Sequence, residues 1–235
     1  MIDVYMIKKK NVVEKFNQKE LEAMTRSFIY ERFHHSNLVN LVKRYKNSTL
    51  AKDLNKAIGE GTHPVLLIGY VGFEVPKMFD DEVIEKFAAT DKLGMMGFKI
   101  LDVNSRIVDA GIENPTKKMP IWRGFDESCN NIDTRFEEVN IFIDGNFCLI
   151  KRSDFNEVGG FDPIFNQLWA VDVGFRIGQK GRKILYTPKE ITHYNYFERD
   201  LNKLTQTYAD DVKAFTYKYI DKLVSPKVVE AKNGK

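Results

Sequence analysis

Short apolar runs and amphipathic stretches follow one another along the chain with little between them. Ile2 to Ile7 predicts an opening strand, and the basic triplet Lys8-Lys9-Lys10 after it reads as a solvated strand end. From Gln18 to Phe33, the positions Leu21, Met24, Phe28 and Ile29 fall on one side of a helix, which His34-His35 stops. Leu38 to Val42 fits either a short strand or the start of another helix. Pro64 to Ile68 is continuously apolar, as a strand covered on both faces of a largely parallel sheet requires.

The second half is patterned more densely. Ile141 to Ile150 is an apolar run broken by Asp144-Gly145-Asn146. Gly159-Gly160-Phe161-Asp162-Pro163 puts two residues of minimal bulk at a sharp bend, with an acid directly behind it. Leu168, Val171, Val173, Phe175 and Ile177 predict a helix within Asn166 to Gln179 that Gly181 closes in the left-handed conformation. Lys183 to Tyr186 reads as a strand that Pro188 terminates. From Arg199 to Val224, Leu201, Leu204, Tyr208, Val212, Phe215, Tyr219 and Leu223 recur at threes and fours, giving one long helix with a single apolar stripe.

Gly145-Asn146-Phe147, Leu149 to Ser153, Phe155, Glu157 to Asp162, Phe165, Asp172, Arg176, Gly181, Ile184 to Tyr186, Pro188 and His193 keep fixed offsets over about fifty residues. In that text the chain resembles the second half of the family 2 type glycosyltransferases of the GT-A fold. The resemblance extends to Leu50 to Ile58 with Asn55, to Val75-Pro76 and a helix over Asp80 to Ala89, to a strand over Leu93 to Leu101, and to a hairpin over Asp102 to Gly111. It implies an α/β, Rossmann-like architecture: a mixed, mostly parallel sheet flanked by helices, with a shortened nucleotide-binding half and a C-terminal helix.

The resemblance implies a single domain over residues 1–224, with 1–64 the shortened donor side, 65–198 the core and acceptor side, and 199–224 the last helix. At 235 residues and 43% hydrophobic content, one sizeable core is within reach. The tail 225–235 is expected to be flexible. A net charge of +3 is too mild to demand a nucleic-acid partner by itself. Cys129 and Cys148 lack metal-ligand spacing, which reads as reduced thiols in a cytoplasmic protein. No apolar run reaches the roughly 18 to 20 residues of a membrane span.

The chemistry implied by the resemblance is transfer of a sugar from a nucleotide-sugar donor to a glycan, a polymer or a modified nucleic acid. Such transfer needs a carboxylate to take the acceptor proton and positive charge for the departing diphosphate. Family members hold Mg or Mn with an Asp-x-Asp after the central strand, but here the chain reads Gly69-Tyr70-Val71-Gly72-Phe73-Glu74. The Glu-Asp pair that supplies the family's base is replaced by Trp169 and Ala170. Asp172 and Asp162 are the remaining catalytic choices, and His193 stands where the family has a further metal ligand. Arg176, Lys180 and Arg182, with Tyr70 and Glu74, would then serve the donor phosphates without an ion. Trp122, Arg123, Asp144, Asn146 and Trp169 are expected on the acceptor side. Two other readings stay open: a GT-A-shaped module without catalysis, self-associated or beside a partner transferase, and a phage-type transferase acting on DNA bases.

Overall fold

The computed structural model describes residues 1–8, 18–34, 36–116, 121–194 and 201–223, and the Lys9-Lys10 pair, His35 and the tail lie outside them. Its first half alternates strand and helix: β1 (Ile2–Ile7), α1 (Gln18–Arg32), β2 (Ser36–Leu41), α2 (Leu50–Gly59), β3 (Val65–Tyr70), β4 (Phe73–Glu74) and α3 (Phe79–Ala89). Leu38 to Val42 therefore resolves as strand. β1 pairs in parallel with both β2 and β3. The hairpin of β5 (Leu93–Leu101) and β6 (Ile107–Asp109) follows, then the short β7 (Ile112–Asn114), β8 (Ile121–Trp122) and β9 (Glu138–Val139).

The stretch that carries the resemblance folds as β10 (Phe147–Lys151), α4 (Arg152–Glu157), α5 (Trp169–Gln179) and β11 (Lys183–His193), and α6 (Leu201–Leu223) closes the described chain. Among the described residues the main sheet runs β2-β1-β3-β10-β5-β11-β4, with β10 antiparallel to both of its neighbours. Consequently β3 and β5 point the same way, and the C-terminal ends of β1, β2, β3, β5 and β11 share one edge. In open α/β sheets that edge is where ligands bind.

Alternation along the strands explains why their sequences are apolar throughout. Ile2, Val4, Met6, Val65 and Leu67 enter the layer with Leu21, Ile29 and Phe79 of α1 and α3. Tyr5, Ile7, Leu66 and Ile68 enter the opposite layer, with Leu54, Val173 and Phe215 of α2, α5 and α6. The apolar stripe of α6 behaves as expected, because Tyr208, Val212, Phe215 and Tyr219 are all buried.

Two local devices fix the acceptor half. The Asn55 side chain clamps the glycine corner: its Nδ2 donates to the Phe161 carbonyl at 2.8 Å, while the Phe161 amide donates to its Oδ1 at 2.9 Å. Gly160 adopts φ +77°, and a Cβ there would lie 2.9 Å from that same Oδ1. Pro188, however, does not end its strand. β11 continues to His193, and its register slips between Thr187 and Glu190, so that Pro188 and Lys189 form a bulge that asks for no ladder hydrogen bond.

At the sheet's opposite edge Asp3 is wholly buried between His63 and Arg152. Burial works against its charge, but hydrogen bonds from the His63 ring and amide, with the His63 and Arg152 charges, outweigh it and hold the carboxyl below the usual aspartate range. A depressed native pKa adds stability that is present above the unfolded value of about 3.9 and lost as pH falls through the native one. Thermal unfolding of the wild-type chain should therefore weaken progressively below about pH 4. The Asp3→Asn variant should be less stable at neutral pH and lose less on acidification, and equal acid sensitivity of the two would count against this role.

Candidate active site

The C-terminal edge of the central strands gathers four of the expected residues around Asp144. Trp122 Nε1 donates to Asp144 Oδ2 at 2.7 Å and the Gly145 amide donates to Oδ1 at 2.6 Å. Asn146 Nδ2 reaches Asp144 Oδ2 at 3.1 Å and Asp109 Oδ2 at 3.3 Å, so one carboxamide bridges two carboxylates. Asp109 Oδ1 also accepts the Gly111 amide at 2.8 Å. The Asn146 carbonyl accepts the amide of Tyr70 at 3.3 Å, which ties this group to the end of β3. Both carboxylates lie beside Cys148, whose thiol is pushed up chiefly by burial and then by their charges.

Asp109 was not among the expected site residues. Its position in the hairpin text gave no sign that β6, beside β5, would carry it to Asn146.

Trp169 also reaches this region, but as filler. A Cβ on Gly145 would lie 2.2 Å from its Cζ2 atom, and its ring meets Phe161 edge to face at 4.8 Å between centroids. Asp144, Asn146 and Trp122 keep 5, 9 and 8% of their surface, and Trp169 and Asp172 keep 1 and 0%. All five are buried, and Trp122 and Trp169 share one core cluster, with Trp122 meeting Tyr208 of α6 at 5.3 Å between ring centroids.

Asp172 faces α6 instead of the edge. Its Oδ2 accepts Arg176 Nε at 2.9 Å and Nη2 at 2.6 Å, and its Oδ1 accepts Lys218 Nζ at 2.7 Å and the Tyr219 hydroxyl at 2.6 Å. Asp162 shares Lys218 at 2.7 Å and accepts the Ile164 amide at 3.0 Å. Burial disfavours the Asp162 charge, but Lys218, the Ile164 amide and Arg176 together hold its carboxyl below the usual range. Burial likewise opposes the Lys218 charge, and its hydrogen bonds to Asp162 and Asp172 outweigh that and raise it above ordinary lysine. Arg176 spends its remaining donors on the Val158 and Gly160 carbonyls at 2.5 and 2.6 Å, bracing the glycine corner.

α6 is bound to α5 in a second way. No side chain of its own caps α5, yet Asp211 of α6 accepts the amides of Asn166, Gln167 and Leu168 at 2.9, 2.6 and 2.9 Å. α6 therefore covers Asp172 and the start of α5.

The phosphate-binding expectation divides. Lys180 pairs with Glu157 at 3.5 Å, and Arg182 with Asp154 at 3.1 Å and Glu157 at 3.6 Å, beside the start of β11. That is the sheet edge opposite Tyr70, a strand length or about 20 Å away. Arg176 is turned into the corner. Glu74 is engaged by Arg32 and by the Tyr194 hydroxyl, and Arg123 by Glu138, the Asp133 carbonyl and the Tyr186 ring. His193 is buried at the end of β11, opposite Phe73 of β4.

No family model matches the chain, and no curated protein matches it in sequence. Solved structures do. GalNAc-T7, solved with UDP, GalNAc and Mn2+, superposes with a TM-score of 0.58 at 14% identity over 83% of this chain and 44% of its own. A mannosyltransferase from Pyrobaculum calidifontis, solved with GDP-Man and Mn2+, gives 0.52 at 13% identity over 86% of this chain and 59% of its own. A197 from STIV gives 0.51 at 11% over 84% and 87%. The chain has the GT-A fold of glycosyltransferases. It spans about half the length of the first two of these proteins.

Within a GT-A frame, the end of β3 is the test of a divalent ion, and its residues do not fit one. A Cβ on Gly69 would lie 2.9 Å from Phe147 Cδ2 and 3.1 Å from Phe73 Cε1, so aromatic packing occupies the space a ligand side chain would need. Val71 is buried, and the Gly72 amide is consumed by Thr25 Oγ1 of α1 at 2.7 Å. Among the described residues no group of three or more His, Cys, Asp or Glu side chains is placed to hold an ion, His193 included. No helix among them is long and apolar enough to cross a membrane.

Proposed function

We propose that this GT-A domain takes a nucleotide sugar at the edge formed by the C-terminal ends of β1 and β3 and the N-terminal end of β10, and transfers the sugar with Asp144, not Asp172, as the base. The observation that carries the reading is the Asp144-Asn146-Asp109 centre tied to the end of β3 at Tyr70, set against an Asp172 whose two oxygens are taken by Arg176, Lys218 and Tyr219. In the step, the acceptor oxygen bonds to the anomeric carbon as the carbon–oxygen bond to phosphate breaks. The hydroxyl proton passes to the Asp144 carboxylate, and the diphosphate leaves with the bonding electron pair. Trp122 and the Gly145 amide hold the carboxylate in orientation.

A second reading, a nucleotide-sugar-binding module without turnover, draws on the Trp169 ring packed at the family's base position and on the filled space at Gly69. Both readings require donor binding. UDP, GDP or one of their sugars at about 100 times its dissociation constant should add about 2.7 kcal/mol, roughly 5 to 11 °C in unfolding midpoint for a chain of this size. Because the β3 end does not suit an ion, the shift should survive a chelator. No shift with any nucleotide removes both readings; a shift without sugar release leaves the second.

A further inference from the structure

The loop joining β2 to α2 and the first turns of α2 read Lys43-Arg44-Tyr45-Lys46-Asn47-Ser48-Thr49-Leu50-Ala51-Lys52-Asp53-Leu54-Asn55-Lys56, five basic residues against one acid. That acid is buried and already committed, since Asp53 Oδ2 accepts Arg44 Nε at 2.8 Å and the Tyr45 amide at 3.3 Å. Lys43, Lys46, Lys52 and Lys56 are all exposed. Tyr45 draws two of them together: Lys43 Nζ lies 5.3 Å and Lys56 Nζ 4.6 Å from its ring centroid, and Lys56 Nζ donates to its hydroxyl at 3.1 Å.

Six other described lysines are neutralised in pairs, Lys8 with Glu22, Lys86 with Glu137, Lys99 with Glu190, Lys180 with Glu157, Lys189 with Glu82, and Lys218 with Asp162 and Asp172, whereas Lys92, Lys151 and Lys213 among others stand in no described ion pair. At this corner no described carboxylate stands within the same range of the four ammonium groups, although Glu60 and Asp53 act on Lys56 from further off. What distinguishes the corner is four exposed lysines within fourteen residues, two of them drawn to the Tyr45 ring.

We infer that this corner is a docking surface for the phosphate backbone of a nucleic acid strand. The four ammonium groups sit on a loop and on successive turns of a helix, so they do not lie along one line. A flexible single strand can bring successive phosphates to such an array, whereas a surface for an anionic membrane would need apolar anchors beside the lysines. Tyr45 is the one large apolar side chain exposed there. The corner follows β2 at the same sheet edge as Tyr70, two strands or about 10 Å along it. A docked strand would therefore lie beside the Asp144 centre without occupying it, and the inference stands whether or not that centre transfers sugar.

The test is fluorescence anisotropy of a short single-stranded oligonucleotide titrated with the full chain across a salt series. Four phosphate contacts predict a slope of log affinity on log salt of about −3, hence about a 50-fold loss from about 50 to about 200 mM salt. Lys46→Ala with Lys52→Ala should halve that slope, to about −1.4, while leaving the unfolding midpoint and any nucleotide-induced shift unchanged. Absent binding at low salt, a slope the double variant leaves intact, or binding to phosphatidylserine vesicles without binding to the oligonucleotide would each overturn the inference.

Discussion

Replacing Asp172 by Ala should lower the stability of this domain by about 3 to 5 kcal/mol, the range for breaking a buried ion pair from one side. Three groups converge on that carboxylate, Arg176, Lys218 and the Tyr219 hydroxyl, and all three lose their acceptor together. Burial, with the hydrogen bond to Asp172 next, pushes the Tyr219 phenol up to about 12, as expected for a hydroxyl that donates to a carboxylate in a dry site. The damage should spread, because Arg176 also braces the Val158 and Gly160 carbonyls and α6 is fixed to α5 through Lys218. For a chain of this length the unfolding midpoint should fall by roughly 6 to 20 °C. Asp172→Asn, which retains an acceptor oxygen, should lose less. Chemical denaturation of the three proteins measures the difference, and a loss below about 1 kcal/mol for the alanine variant would contradict the structural role.

Much of this architecture is legible in the chain because its signals are local. The apolar runs of β1 and β3, the left-handed glycines of the corner, and the apolar stripe of α6 each follow from spacing and backbone sterics, and each folds as expected. Pro188 misleads because a bulge is decided by the partner strand, which a single run of residues does not display. The site is harder for the same reason. Asp172 is an acid at the right offset in the right helix, and only α6, some forty residues further on, determines that its oxygens face Lys218 and Tyr219.

Lys180 and Arg182 look like a phosphate cluster in one dimension and in three stand paired with Glu157 and Asp154 at the sheet edge opposite Tyr70. Asp109 and Asp144, thirty-five positions apart, meet only because β6 and the turn before β10 converge on Asn146. No periodicity marks either residue.

The most direct test of where the chemistry resides is turnover of Asp144→Asn, measured per folded molecule on the donor that gives the largest stabilising shift. Asparagine can turn its one carboxamide oxygen to Trp122 Nε1 and Asn146 Nδ2 and gives up only the Gly145 amide contact, so the fold and donor affinity should largely hold while proton acceptance is lost. The account predicts a fall of about 10²- to 10⁴-fold in kcat, with Asp172→Asn, read alongside, within a few-fold of wild type once corrected for its folded fraction. Undiminished turnover in Asp144→Asn, with the loss falling on Asp172→Asn instead, would contradict it.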